Sequence, residues 1–374
     1  MSPQSDPSLT ATITDEAVEE LKKLIGVPLR IDPPWNTVAT KDNVRHWAWG
    51  IGDDNPLWLD EEHAKKTQWG CIIGPPTMLN SFGSVRGDIG LPGLHGLWTE
   101  DVWDFAQVLR VNDEVSVNGS LVQVIERRSE MAGRMIEEIT ENIYRNQKGE
   151  IIAKARHHTR RFGRTVAAQR GKHKGVVIKP YTPEAIKAIE HDYDTEEIRG
   201  SNPRYWENVQ IGDSMGHVVK GPLTVTDIMA FQKACFFSPF VRAHRLALAY
   251  RRRHPRAAIL NELGVPDVPE RVHWEGSLSK EVGAPAGFDY GHQRIAWSAH
   301  LFTNWMGDNA FLKRLHVQIR MMNYIGDTTW FRGKVIEKMV EDGEHLVRCE
   351  FWAENQRGEI TTRGSGTISL PSRT

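Results

Sequence analysis

Two segments of the chain, residues 40–52 and 224–237, carry apolar side chains at helical spacing. The apolar positions are Val44, Trp47, Ala48 and Ile51 in the first segment and Ile228, Phe231 and Cys235 in the second. Each segment opens with Thr and Asp, residue types that cap helix N-termini. The pattern predicts two equivalent amphipathic helices, each at the centre of its own half of the chain.

Segments of alternating polarity end both halves, and the turns between them are alike. NQKGE begins at Asn146 and NQRGE begins at Asn355. Upstream, DEVSVNG and DTTWFRG share an Asp-to-Gly spacing. Alternation with tight turns predicts long antiparallel strands joined by hairpins. We therefore expect an α+β protein with two antiparallel sheets, each wrapped round a central helix, packed so that the sheets run together.

The stretch from 165 to 205 is polar, charged and punctuated by prolines, as linkers are. It predicts a first domain over residues 1–165, a linker over 166–205 and a second domain over 206–374. A length of 374 residues suits two domains.

Composition narrows the classes of partner. The net charge is −1 with 25% charged residues, so no strong field attracts nucleic acid or an anionic membrane. Three cysteines without CxxC spacing argue against a disulfide framework or a zinc site. The first residues lack the pattern of a secretory signal, and no apolar run is long enough to span a bilayer. These features favour a cytoplasmic protein.

The candidate chemistry begins in GIGDDNPLWLDEEHA, which follows the first helix. Its residues Gly52, Asp53, Asn55, Pro56, Trp58 and Asp60 are followed by GCIIGPPTML. This loop resembles the FAS1-type dehydratase N-terminal domain, whose hallmark reads roughly G-D-x-N-P-x-(aromatic or His)-x-D. Over residues 28–165 and 206–371 the layout resembles the double hot-dog proteins of the MaoC-like dehydratase group, which includes (R)-specific enoyl-thioester hydratases.

In active loops of that group, the Asp and a His five residues later hold the water that adds to the double bond. Trp58 stands at the His position here and cannot exchange a proton at neutral pH. The resemblance therefore implies a degenerate first-half loop, in which Asp53 and Asn55 cap the helix end and shape the turn. The alternative is a direct catalytic role for this loop.

The second half carries an insertion over 236–270, after which His273-Trp274-Glu275 resembles the His-x-Asp step. His273 is thus the catalytic candidate, with a hydrogen-bonded core histidine as the alternative. Its carboxylate partner is predicted to be Asp289 or Asp267. The alternative for both residues is that they only stabilise the turns in which they lie.

The resemblance also implies a substrate-binding set. Gly291 corresponds to the glycine whose backbone N–H meets the thioester oxygen, and a helix starting there would stabilise the developing enolate. Arg294 is a further candidate. Arg251 and Arg252 belong to RRRHPR (251–256), which would contact the phosphates of CoA or phosphopantetheine, or else form a solvated helix face.

The resulting hypothesis is a hydratase or dehydratase acting on an acyl thioester, with enoyl-CoA favoured over an acyl carrier. No metal or redox cofactor is implied, because the thioester itself acidifies the α-proton. Two alternatives stay open: a non-catalytic or half-catalytic subunit of a heteromeric hydratase, and a hot-dog acyl-CoA thioesterase. We expect a homo-oligomer, or a hetero-oligomer with a related hot-dog chain.

Overall fold

The computed structural model describes residues 12–31, 34–85, 90–91, 94–129, 133–163, 176–235, 241–254 and 258–373. The helices are α1 Asp15–Lys22, α2 Lys41–Ile51, α3 Pro56–Leu59, α4 Glu61–Lys65, α5 Pro183–Asp194, α6 Val225–Cys235, α7 His244–Arg253, α8 Gly276–Glu281 and α9 Gly291–Met306, with 3₁₀ segments Pro76–Phe82, Trp206–Asn208 and Pro269–His273. The strands are β1 Pro28–Leu29, β2 His95–Phe105, β3 Ser116–Ser129, β4 Gly133–Arg145, β5 Ile151–Phe162, β6 Ser214–Lys220, β7 Ile259–Leu260, β8 Pro266–Asp267, β9 Phe311–Ile319, β10 Thr329–Glu341, β11 Glu344–Asn355 and β12 Ile360–Ser369.

Ten of the strands form one antiparallel sheet, in the order β1-β3-β4-β5-β2-β9-β12-β11-β10-β6. The two half-sheets meet where β2 pairs with β9, with Val102 opposite His316. The expected α+β class is confirmed, and the two predicted sheets are continuous with each other.

The two predicted turns have the same hydrogen bonds. The Asn146 side chain accepts from the backbone of Lys148 and Glu150, both at 3.0 Å. The Asn355 side chain accepts in the same way from Arg357 at 2.9 Å and from Glu359 at 3.1 Å. The next residue in each turn, Gln147 or Gln356, bonds to the upstream Asp of the repeat, Asp113 at 3.3 Å or Asp327 at 2.9 Å. The repeat read from the sequence is therefore a repeat of structure.

The predicted helices form as α2 and α6, and they pack against each other. A Cβ atom at Gly50 would lie 2.4 Å from the Ala234 Cβ, so only glycine permits this close crossing. The prediction that these two helices are the central ones is wrong. In the second half the enclosed helix is α9, which is buried from His292 to Met306. In the first half, the 3₁₀ segment Pro76–Phe82 is likewise buried from Thr77 to Phe82. An amphipathic pattern shows that a helix has one buried face, whereas a helix enclosed by a sheet must be buried all round.

The described part of the predicted linker contains α5, which docks on the second half. The α5 residue Asp192 accepts a hydrogen bond from the Trp330 indole at 2.8 Å. The described parts of the insertion contain α7 and the β7–β8 hairpin. Over the residues that the structure describes, no helix combines the length and the apolar character needed to cross a membrane.

Candidate active site

The first-half loop begins where α2 ends at Gly52, which has the left-handed φ of 64°. Asp53 is buried directly after it. One carboxylate oxygen accepts from the Asn55 backbone at 3.1 Å, and the other accepts from the Trp58 indole Nε1 at 3.0 Å. Asn55 in turn caps α3 by accepting from the Leu57 backbone at 2.9 Å. Trp58 therefore donates to Asp53 from the position that the motif gives to an aromatic residue or histidine.

Two buried residues of the second half complete the surroundings of Asp53. His300 of α9 lies with Nε2 3.4 Å from a carboxylate oxygen of Asp53. Lys220 of β6 donates to His300 Nδ1 at 2.9 Å and to the carbonyls of Ile51 and Gly52 at 2.9 and 2.8 Å. Because the ammonium group is the donor, Nδ1 of His300 is the acceptor and its proton lies on Nε2, facing Asp53. This cluster ties the loop to the second half.

Burial dominates the electrostatics of this cluster. Loss of hydration raises the pKa of Asp53 to about 6, although the backbone of Asn55 and the Lys220 charge oppose the shift. The same effect lowers the pKa of Lys220, and burial together with the Lys220 charge holds the pKa of His300 well below its usual range. The imidazole is therefore neutral near pH 7.

Trp58 is also one of the residues that line an apolar pocket. Its wall includes Gly74 and Leu109 of the first half and Met306 and Phe311 of the second half. The lining is predominantly hydrophobic, as is typical of pockets for small apolar groups.

His273 ends the 3₁₀ segment Pro269–His273, beside the start of α9. Its Nδ1 lies 2.8 Å from the carbonyl oxygen of Phe288. A carbonyl only accepts, so Nδ1 carries the proton and Nε2 keeps its lone pair. The ring lies 3.7 Å, centroid to centroid, from the ring of Tyr290. Burial lowers the pKa of His273 to about 4, which makes the imidazole neutral at pH 7.

The N-terminus of α9 lies at the boundary between the halves. Tyr290 is the N-cap residue, and no side chain caps the helix. A Cβ atom at Gly291 would lie 2.7 Å from the Cβ of Trp98 on β2. Glycine at this position therefore lets the helix start touch the first-half strand.

The predicted carboxylate partners of His273 make other contacts. Asp289 forms a two-point ion pair with Arg294, at 2.6 and 2.7 Å, and both residues are buried. Arg294 donates further to the carbonyl of Met321 at 3.1 Å and to the Thr362 hydroxyl at 3.0 Å. These contacts indicate a structural role for Asp289 and Arg294. The catalytic role of Asp289 and the substrate-binding role of Arg294 stay predictions.

Asp267 and the two arginines lie on peripheral elements. Asp267 belongs to the β7–β8 hairpin, where its carboxylate lies 3.5 Å from Arg271. Arg251 and Arg252 lie in the last turn of α7, and Arg252 is exposed. Their predicted roles in catalysis and phosphate binding stay predictions.

Sequence reasoning missed a buried cluster on β2 and β5. The carboxylate of Asp101 accepts from the indoles of Trp98 and Trp103, at 2.5 and 3.0 Å, and lies 3.0 Å from His157 Nδ1. Asp101 and His157 are fully buried. A signal was present: in IIAKARHHTRRF, His157 shares the inward alternation of Ala153 and Ala155.

Comparison with known proteins agrees with this architecture. Residues 23–155 match the family model of the FAS1-like dehydratase domain region. A relative from Thermomonospora curvata, named "Probable enoyl-CoA hydratase alpha subunit", is 26% identical over 160 residues, which are 37% of this chain and 49% of the relative. The chain thus spans about half the length of that relative.

Solved structures match over almost the whole chain. A MaoC-like dehydratase superposes with a TM-score of 0.66 at 17% identity, over 94% of this chain and 100% of the other. A MaoC-like dehydratase from Phytophthora capsici gives a TM-score of 0.52 at 12% identity, over 95% and 99% of the two chains. A Mycobacterium tuberculosis protein described as a double hot-dog gives 0.55 at 8% identity, over 91% and 95%. The predicted resemblance is thereby confirmed: residues 23–155 match the FAS1-like dehydratase region, and the chain has the double hot-dog fold seen in MaoC-like dehydratases.

Proposed function

We propose that this chain is a hydro-lyase that adds water to an α,β-unsaturated acyl thioester or removes it, with enoyl-CoA as the substrate to test first. The observation that carries the proposal is the contact of His273 with Tyr290, at 3.7 Å between ring centroids. It sets an imidazole beside the N-terminus of a 16-residue helix. The FAS1-like dehydratase region supports the same class of reaction.

The helix start would stabilise the negative charge that develops on the substrate. Nucleophilic addition to an enoyl thioester moves electron density onto the carbonyl oxygen. The first backbone amides of α9, beginning at Gly291, and the helix dipole favour an anion at that place. Gly291 cannot carry a side chain there, because Trp98 occupies the space that a Cβ atom would need.

His273 would orient the attacking water. With its proton on Nδ1 bound to Phe288, the ring offers the Nε2 lone pair to an O–H of water. Its lowered pKa keeps this lone pair available at neutral pH.

The apolar pocket beside Trp58 supports binding of a hydrophobic acyl group by the same chain. Three free cysteines support the expected cytoplasmic setting.

The test is hydration of a series of 2-enoyl-CoA thioesters by the purified chain, followed by loss of the conjugated-thioester absorbance. A parallel assay for free thiol separates hydration from thioester hydrolysis. Formation of the 3-hydroxyacyl thioester without thiol release is the expected result. Thiol release without hydration would replace the proposal with a thioesterase.

A half-catalytic subunit is the second candidate, because Asp289 is engaged by Arg294 and Asp267 lies on a peripheral hairpin. The relative from Thermomonospora curvata is itself named an alpha subunit. The comparison to make is between the chain expressed alone and the chain isolated from its own cells. Turnover only in the native preparation, together with a co-purifying hot-dog chain, would favour this candidate.

A further inference from the structure

We propose that Asp101 and His157 are the proton-transferring pair of this site. Asp101 fixes the imidazole, and His157 Nε2 takes a proton from the attacking water and returns it to the α-carbon. The inference rests on the proposed function and adds a carboxylate–imidazole pair. Asp53 is bonded to Trp58 and lies 3.4 Å from His300, but the Nδ1 lone pair of His300 is taken by Lys220, so that imidazole has no basic nitrogen left. The His273 ring has no carboxylate contact within the described part of the chain.

The geometry of the pair defines the state of the imidazole. Asp101 accepts hydrogen bonds from two indole N–H groups, which hold its carboxylate in place independently of His157. Its oxygen lies 3.0 Å from His157 Nδ1. A carboxylate only accepts, so Nδ1 is protonated, and in the neutral imidazole the lone pair is then on Nε2. An imidazole oriented in this way by a carboxylate is the arrangement used for general base catalysis.

The pair lies at the helix start that the proposed function uses. The Trp98 ring is 4.7 Å from the His157 ring and 4.0 Å from the His292 ring, between centroids. Trp98 also touches Gly291. His157 and His273 therefore lie on either side of the N-terminus of α9. His157 packs against it through the Trp98 ring, and His273 contacts the N-cap residue Tyr290.

His157 Nε2 is buried, and it has no hydrogen-bond partner among the described residues. The same is true of two further buried polar atoms: Oγ1 of Thr159, at the next inward position of β5, and Oε1 of Gln293 in the first turn of α9. Buried polar atoms are normally paired, by protein, water or ligand. An unpartnered, buried Nε2 on a ring that packs through Trp98 against the first turn of α9 indicates a place that receives a polar ligand.

The chemistry balances without a co-reactant. The water oxygen forms a bond to the β-carbon while one of its protons moves to His157 Nε2. The π electrons move to the thioester enolate, whose oxygen is at the helix start. Asp101 stabilises the imidazolium that results. The proton then passes from Nε2 to the α-carbon, which gives the 3-hydroxyacyl thioester and regenerates the neutral ring.

The decisive variant is His157→Asn. The asparagine amide can replace Nδ1 as the donor to Asp101 but has no basic nitrogen at the Nε2 position. His157→Gln is a second variant, in case the first does not fold. His158→Asn is the matched control, because His158 is the next residue on the same strand and contacts Glu137 at 3.2 Å instead. Melting temperature, kcat and KM for an enoyl-CoA are measured for each.

We expect kcat to fall about 10²–10⁴-fold in the folded His157 variants, with KM and melting temperature near wild type. The His158 control should retain turnover. Near-normal turnover of a folded His157→Asn chain, with an active wild type, overturns the inference and leaves the proposed function standing.

If the wild type hydrates no enoyl-CoA, the proposed function fails, and a measurement without turnover decides the inference. The ¹⁵N resonance of His157 Nε2 is recorded with and without saturating butanoyl-CoA. A shift that the His158 resonances do not share supports ligand contact at Nε2. An unchanged resonance overturns the inference.

Discussion

Nε1 of Trp58 donates to Oδ2 of Asp53 at 3.0 Å, so an indole holds the carboxylate that a histidine would accompany in an active loop. Trp58→Phe removes this donor and leaves a buried acceptor short of a partner. We expect the free energy of unfolding to fall by about 1–3 kcal/mol more than in the control Trp47→Phe. The Trp47 indole is equally buried, and its N–H has no partner among the described residues. Equal losses in denaturant titrations of the two variants would mean that the hydrogen bond contributes nothing.

Asp53 should also make stability depend on pH. Burial raises its pKa from 3.8 to about 6, so the folded state binds the proton more tightly than the unfolded state. The Asp53 carboxyl group makes its full contribution to the free energy of unfolding below the pKa that it has in the unfolded chain. That contribution is lost as the pH rises through the pKa that it has in the folded protein. Between about pH 5 and pH 7 the group should lower the free energy of unfolding by about 1 kcal/mol.

Asp53→Asn should remove this contribution, so the free energy of unfolding of the wild type minus that of the variant should fall by about 1 kcal/mol from pH 5 to pH 7 in urea titrations. Lys220, His300 and Asp54 face the same carboxylate and are unchanged in the variant. The lowered pKa values of His273 and His300 make the free energy of unfolding rise with pH in both chains, so the test is the difference between the chains. A difference that does not change with pH would assign the pH dependence to another group.

His273→Ala should lower kcat by about 10²–10⁴-fold, because the water loses the group that orients it. Thioester binding and melting temperature should stay near wild type. His46→Ala, at an exposed position of α2, is the control. If His273→Ala kept near-full turnover while a folded Asp53→Asn chain lost it, the assignment of the active half would be reversed.

Asp289→Asn should act on stability, since it leaves the buried Arg294 charge without its counter-ion. Removing one member of a buried ion pair costs about 3–5 kcal/mol. The matched control is Asp104→Asn, which breaks the Asp104–Arg314 pair at 3.0 Å, where both side chains are more than half exposed. That change should cost about 1 kcal/mol or less. Guanidinium titrations compare the two, and similar losses would contradict a structural role for Asp289.

Replacing Arg251, Arg252 and Arg253 by Gln should raise KM for CoA substrates and leave kcat nearly unchanged. Exposed charge contacts are worth about 1 kcal/mol or less each, so the effect should be modest and should shrink as salt is added. Lys22→Gln with Lys23→Gln, at the C-terminal end of α1, serves as the control for a general change of charge. An unchanged KM at low salt would identify the three arginines as a solvated helix face.

Local chemistry made much of the fold predictable. The turns at Asn146 and Asn355 depend on residues within four positions of each other, and the sequence displays them directly. The contact between Asp101 and His157 joins residues 56 positions apart, and it depends on the register of β2 against β5. The contact between Asp53 and His300 depends on how the two halves pack. No local pattern encodes either distance.

The pairing of β2 with β9 has a consequence for how this protein can change. In a symmetric dimer of single hot-dog chains, one substitution alters both copies of the site. Here the two halves are separate stretches of one chain, joined by a continuous sheet. A tryptophan at position 58 therefore leaves position 273 untouched. Because the two loops occupy different positions of one chain, each can accumulate substitutions independently. One loop can then be selected for reactivity while the other is selected for rigidity.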